Sequence, residues 1–213
     1  MKNINTLIFD FGGVLLNLDM PKCLEAFKKL GCGIISEYLD HYKQKGLFLD
    51  FEEGKISTSD FFKELQKIVG NNVSVSELEN AFLAFLGDLP QYKLDLLLEL
   101  RKKYKVYMLS NINAFIYDYC KRTYFEKNGK KMHDYFDKVY LSYEIGICKP
   151  DRRIFDYMIQ DADLNPNQCF FIDDGEKNIE TAKSLGFATY LAKPREDFSE
   201  LFHFNNYKRY LKE

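Results

Sequence analysis

The stretch Asn5-Thr-Leu-Ile-Phe-Asp-Phe-Gly-Gly-Val14 decides how the rest of the chain reads. Asn5 to Phe9 is a short run of strand formers that ends directly at Asp10. Near-continuous apolar character marks a strand buried on both faces, as parallel sheets require. The two glycines after Phe11 allow a tight turn and close approach of backbone to a ligand. Working outward, comparable runs recur as Lys105-Val-Tyr-Met-Leu109, Lys138-Val-Tyr-Leu141, Cys169-Phe-Phe-Ile172 and Ala188-Thr-Tyr-Leu191. Between them lie segments with helical periodicity: Tyr92 to Tyr104, Ala114 to Tyr124, Asp151 to Asp161 and Asn178 to Leu185. Gly186 stands where a helix C-terminal glycine belongs. The alternation predicts an α/β fold, a Rossmann-like three-layer α/β/α core with a parallel sheet. Ligands of such sheets bind beyond the carboxyl ends of the strands, where Asp10, Ser110 and Asp173-Asp174 fall.

Residues 17–90 break the alternation and carry helical signatures only. Pro21 to Leu30 before Gly31 reads as an amphipathic helix, Ser57-Thr-Ser-Asp60 precedes another, and Ser74-x-x-Glu77 is a capping box opening a third through Phe85. Ile34 to Gly46 reads as a further helix. The chain therefore divides into a core of 1–16 and 91–213 and a small helical cap of 17–90. The cap is expected to screen the site from water and select the substrate, with Phe48, Phe51 and Glu52, beside Gly54, placed to face the site or, for the two phenylalanines, to pack in a core.

Thirty basic against thirty-two acidic residues in 213 leave a net charge of −2, which gives no reason to expect nucleic acid or an anionic membrane as partner. The N-terminal apolar stretch is short and interrupted by Asp10, so neither a signal peptide nor a membrane span fits. Five cysteines without a C-x-x-C pair argue against disulfides or zinc and for a reducing, cytoplasmic setting. His41, His133 and His203 are isolated and lack metal-ligand spacing. The basic cluster Lys127 to Lys131 reads as a solvated loop.

Four polar sites carry the chemistry. Asp10 at a strand end can act as a covalent nucleophile, or simply cap a turn. Ser110-Asn111 offers a hydroxyl and amides suited to phosphate oxygens, or a helix N-cap. Lys149, before Pro150-Asp151, can neutralise a carboxylate and a phosphate together, or be a surface lysine. Asp173-Asp174 ends a buried strand, where adjacent carboxylates are costly unless paired with cations, and oxygen ligands of this kind suit Mg²⁺.

Together, Ile8-Phe-Asp-Phe-Gly-Gly-Val14, Met108-Leu-Ser-Asn111, Gly146-Ile-Cys-Lys-Pro-Asp151 with Ile154-Phe155, and Phe171-Ile-Asp-Asp174 with Asn178, Ala182 and Leu185-Gly186 resemble the four motifs of the haloacid dehalogenase (HAD) superfamily, subfamily IA, with a C1-type cap. The resemblance spans 1–16 and about 92–192. It implies a magnesium-dependent phosphatase acting on a small phosphomonoester, a sugar phosphate, through a phosphoaspartyl intermediate on Asp10. Ser110 and Lys149 would hold the phosphoryl group, assisted by amides near Phe11, Gly12 and Asn111. Asp10, the Gly12 carbonyl and Asp174 would bind Mg²⁺, with Asp173 supporting directly or through water.

Gly12 departs from the phosphatase pattern, which has a second aspartate there to protonate the leaving oxygen and then activate water. General acid–base catalysis is worth about 10² to 10⁴ in rate. Three accounts follow: a leaving group that needs little protonation, such as an anomeric oxygen; substitution by Asp19 or by a cap carboxylate such as Glu52 or Glu53; or a slow or non-catalytic, phosphate-binding protein. A branch resembling sugar-1-phosphate phosphatases also carries glycine here, with a similar Asn17-Leu-Asp19, which favours the first account. Asp19 doubles as the N-cap of the first cap helix. Dehalogenases of the superfamily also lack the second aspartate but do not need the acidic pair. Cys148 beside Lys149 reads as an inert buried thiol or a reactive one.

Overall fold

A computed structural model describes residues 4–33, 35, 46–70, 72–126 and 129–202. The expected helix over Ile34–Gly46 lies outside the described residues apart from Ile35 and Gly46, as do Lys127 and Asn128 of the basic cluster, His41 and His203.

Five parallel strands form one sheet in the order β3-β2-β1-β4-β5, with β1 Thr6–Phe9, β2 Lys105–Ser110, β3 Lys138–Leu141, β4 Cys169–Asp173 and β5 Ala188–Leu191. Period-two side chains fill two separate apolar layers. On one face Ile8, Leu109 and Phe171 meet Ile154, Phe155 and Met158 of α9 (Arg152–Asp161) and Ile179 and Ala182 of α10 (Glu176–Ser184). On the other, Leu7, Phe9, Met108 and Ile172 join Leu94 and Leu97 of α5 (Gln91–Leu100) and Ile116 of α6 (Ala114–Cys120). Gly186 ends the α10 region at φ +97°.

Between β1 and α5 come four helices among the described residues: α1 Met20–Lys29, α2 Leu47–Glu52, α3 Thr58–Val69 and α4 Val75–Leu83. Their starts follow the sequence signals. Asp19 caps α1 by accepting from Lys22 N (3.0 Å), Ser57 caps α3, and Ser74 with Glu77 forms a complete capping box. Phe48 and Phe51 do not face the site; they are buried against Phe61, with Phe51 stacked on it at 4.1 Å between centroids. Burying two phenyl groups among aromatics is worth more than lining a polar cleft.

The chain entering these helices and the chain leaving them run side by side. Gly87 N donates to Asn17 O (2.8 Å), Asn17 N to Asp88 O (2.9 Å) and Asp19 N to Phe85 O (2.8 Å). A Cβ on Gly87 would lie 2.7 Å from Asn17 O, so glycine permits the approach. Buried Lys93 on α5 donates to Val14 O (2.5 Å) and lies over the Phe198 ring, fastening the post-β1 loop to the core.

Two short helices finish the frame: α7 Met132–Tyr135, and α8 Ser142–Ile145, which Gly146 closes at φ +82° before the chain turns towards Lys149.

Candidate active site

The strand register sets the site. Phe9 pairs with Met108 and with Ile172, so the carboxyl ends of β1, β2 and β4 share one end of the sheet. Asp10, Ser110, Asp173 and Asp174 all lie there, and Lys149 is brought to them from the loop after α8. Asn111 anchors that loop: its side-chain amide donates to Lys149 O (2.8 Å) and its Oδ1 accepts from Lys149 N (2.7 Å). Its side chain is thereby committed to shaping the loop. The Ser110 hydroxyl, in a buried residue, makes no hydrogen bond among the described residues.

Lys149 Nζ donates to Asp10 Oδ1 (2.9 Å), Asp173 Oδ2 (2.7 Å) and Leu109 O (2.8 Å). Phe11 N also donates to Asp10 Oδ1 (2.7 Å), leaving the other oxygen of the carboxylate unengaged by these groups. The other Asp173 oxygen accepts from Gly175 N (2.7 Å) and Asn178 Nδ2 (2.8 Å). Both Asp173 oxygens are therefore engaged within the protein, fixing Lys149 and the start of α10. Asp174 holds a carboxylate less enclosed than Asp173, pressed against the backbone of Gly13. A Cβ on Gly13 would lie 2.0 Å from Asp174 Oδ2, and the residue sits at φ +78°. Gly12 is different: a Cβ there would meet only the tip of Leu18, at 3.2 Å.

The charges do not balance. Three carboxylates surround one lysine. Burial foremost, partly offset by Lys149 and reinforced by Asp173 and Asp174, raises Asp10 to about 7. Burial and Asp173 also raise Asp174. For Lys149, burial opposes the charge, but Asp10 and Asp173 outweigh it and hold the ammonium form. One carboxylate oxygen from each of Asp10, Asp173 and Asp174 can be chosen so that all lie within 4.8 Å of one another. Hard oxygen donors with excess negative charge fit a divalent cation such as Mg²⁺.

One contributor was not marked by any local motif. Ser142, fully buried after β3, donates to Glu52 O (2.7 Å) and accepts from Ile112 N (2.9 Å), so one hydroxyl joins the end of α2 to the loop following Ser110. Glu52 itself is half-buried, and its carboxyl makes no hydrogen bond or ion pair among the described residues. Burial first, then the Asp10 charge, raises it to about 8, with Lys149 opposing. Cys148 is buried and its thiol pushed up to about 12, chiefly by burial, which leaves it inert as a nucleophile at neutral pH. Nothing in the sequence flagged Ser142, since its role depends on α2 docking against α8.

The chain is 41% identical over 197 residues to a D-ribitol-5-phosphate phosphatase of Bacteroides thetaiotaomicron, covering 92% of this chain and 96% of that one. A crystal structure of a HAD family enzyme from Bacteroides thetaiotaomicron, an aspartate-to-alanine variant in complex with magnesium and inorganic phosphate, superposes with a TM-score of 0.91 at 42% identity, covering 94% and 99% of the two chains. A HAD-like family hydrolase of Porphyromonas gingivalis superposes with a TM-score of 0.86 at 36% identity over 99% and 98%. The family profile described as haloacid dehalogenase-like hydrolase matches residues 4–186, and the chain belongs to that family.

Proposed function

We propose that this protein is a Mg²⁺-dependent phosphatase that hydrolyses a small phosphomonoester, a sugar or polyol phosphate, through a phosphoaspartyl intermediate on Asp10. The observation that carries the reading is the Asp10 carboxylate itself, with one oxygen held by Phe11 N and Lys149 Nζ beside the Asp173–Asp174 pair. A nucleophile oriented this way attacks in line without first having to find its geometry.

In this reading Asp10 attacks phosphorus, and Lys149 and the Ser110 hydroxyl hold the transferring phosphoryl oxygens. Amides near Phe11, Gly12 and Asn111 add further donors to the same oxygens. Asp10, the Gly12 carbonyl and Asp174 would hold Mg²⁺, which supplies positive charge to the phosphoryl group as charge shifts in the transition state. Asp173, engaged by Lys149, Gly175 and Asn178, positions the lysine and would support the metal directly or through water. Dehalogenation needs no such acidic pair, and the excess carboxylate charge favours the phosphatase.

Residues 17–90 act as the cap in this account, with the paired segments around Asn17 and Gly87–Asp88 as its base. No helix among the described residues is long and apolar enough to cross a membrane. The phosphatase relative is named for an ester of a primary alcohol, and that supports a polyol or sugar carrying its phosphate on a terminal carbon as substrate here.

Phosphate release from a panel of polyol 5-phosphates, hexose 1- and 6-phosphates and an aryl phosphate tests the reading. Each is assayed with Mg²⁺, with chelator and with Asp10→Asn. Turnover that needs both the metal and Asp10 is expected. Turnover that survives chelation or the substitution would contradict it.

A further inference from the structure

An alkoxide leaving from a terminal carbon is strongly basic, so breaking its bond to phosphorus calls for a proton at the departing oxygen. Position 12, a glycine, has none to give. Resting on the phosphatase reading above, we propose that Glu52 is the proton donor to the leaving oxygen and the base that then activates water, in place of the side chain absent at Gly12.

Of the three carboxyl groups that could substitute, two are committed elsewhere. Asp19 accepts from Lys22 N as the cap of α1. Glu53 is ion-paired with Lys55 at 2.5 Å. Glu52 has no such partner among the described residues. The Asp10 and Lys149 charges both act on its carboxyl.

Its backbone is also held firmly. Ser142 Oγ donates to Glu52 O (2.7 Å) and binds Ile112 N (2.9 Å), two residues beyond Ser110. Two positions on, Gly54 sits at φ +65° so close to Tyr143 that a Cβ would lie 2.1 Å from Tyr143 O. The end of α2 is thereby clamped to the β3–α8 corner, whose chain continues to Lys149. A carboxyl on a fixed stalk can be presented to the same atom in every turnover. Burial foremost, and then the Asp10 charge, raises the group to about 8, a shift towards the protonated form a donor needs.

The proton bookkeeping closes over one cycle. As Asp10 Oδ forms its bond to phosphorus, the phosphorus–oxygen bond of the ester breaks, and the departing oxygen keeps the electron pair and takes the Glu52 proton. Water then attacks the phosphoaspartate and gives a proton to the Glu52 carboxylate. The bond from phosphorus to Asp10 breaks, with its electron pair returning to the aspartate. Glu52 ends protonated, as it began.

The test compares kcat/KM for ribitol 5-phosphate and for p-nitrophenyl phosphate, whose leaving anion needs no proton, in wild type, Glu52→Gln and Glu53→Gln. Glu52→Gln is expected to lose about 10² to 10⁴ on the alkyl ester while staying within about threefold on the aryl ester. Because kcat/KM stops at the first irreversible transfer, later hydrolysis does not blur the ratio. Retained aryl turnover also reports that the variant is folded with its site intact. A burst of nitrophenolate in Glu52→Gln, from phosphoaspartate that water removes slowly, is the second expected sign. Glu53→Gln should leave the alkyl-to-aryl ratio as in wild type. Equal losses on both esters, or no loss on either, would overturn the Glu52 assignment alone. A wild type that hydrolyses neither ester with Mg²⁺ would overturn the phosphatase reading and this inference with it.

Discussion

At Gly13 a single added carbon would lie 2.0 Å from Asp174 Oδ2, in a backbone conformation at φ +78° that side chains rarely adopt. Gly13→Ala must therefore displace the Asp174 carboxylate or distort the loop. Mg²⁺ affinity measured by calorimetry is expected to fall by about tenfold or more, since a factor of ten is only about 1.4 kcal/mol. Unchanged affinity would remove Asp174 from the metal site. Gly12 carries no such constraint, because only the flexible tip of Leu18 stands in the way. Its glycine is a chemical absence more than a steric necessity, and this makes the search for another acid–base group meaningful. Asp10, Ser110, Lys149 and the Asp173–Asp174 pair were legible in the sequence because each follows a recognisable apolar strand or a short turn after one. Glu52 was legible only as one of three candidates. What separates it from Asp19 and Glu53 is a set of partners, Lys22 N for one and Lys55 for the other, that spacing does not reveal.

Among the elements, β1 and β4 read clearly because burial on both faces leaves them continuously apolar, and β2, β3 and β5 keep short apolar runs although exposed residues begin or end them. The caps of α1, α3 and α4 were equally clear, since Asp19, Ser57 and Ser74 are local signals. Helices α2, α7 and α8 went unread; six and four residues are too short to display a 3.6-residue period. Yet α2 and α8 meet at the point where the helical segment touches the site. Ser142→Ala should expose that dependence. It strips a partner from the buried Ile112 N and from the part-buried Glu52 O, and leaving the buried amide unsatisfied costs about 1 to 3 kcal/mol. Chemical denaturation would read the loss, and a change below a few tenths of a kcal/mol would mean that the bridge contributes little.

For the whole molecule, the order β3-β2-β1-β4-β5 brings the ends of β1, β2 and β4 together, and that order cannot be inferred from any one strand. It gathers more negative charge than Lys149 can offset. Asp10, raised to about 7, holds its proton more tightly in the folded protein than in the unfolded chain. Without metal, this group's contribution to stability therefore falls as pH rises from about 4 to 7. A divalent cation favours the ionised form and competes with that proton, so binding tightens in the same direction. The rise in Tm produced by Mg²⁺ is expected to be larger at pH 8 than at pH 6, with saturation at a hundred times Kd worth about 2.7 kcal/mol. Equal increments at both pH values would show that Asp10 does not take part in holding the metal. The central claim, covalent phosphoryl transfer to Asp10, is tested most directly by quenching the enzyme in acid during steady turnover with Mg²⁺ and locating the phosphoryl group by peptide mass spectrometry. The account predicts it on the peptide containing Asp10, and nowhere in Asp10→Asn. Full turnover with no phosphoryl group at Asp10, or with the substitution in place, would contradict it.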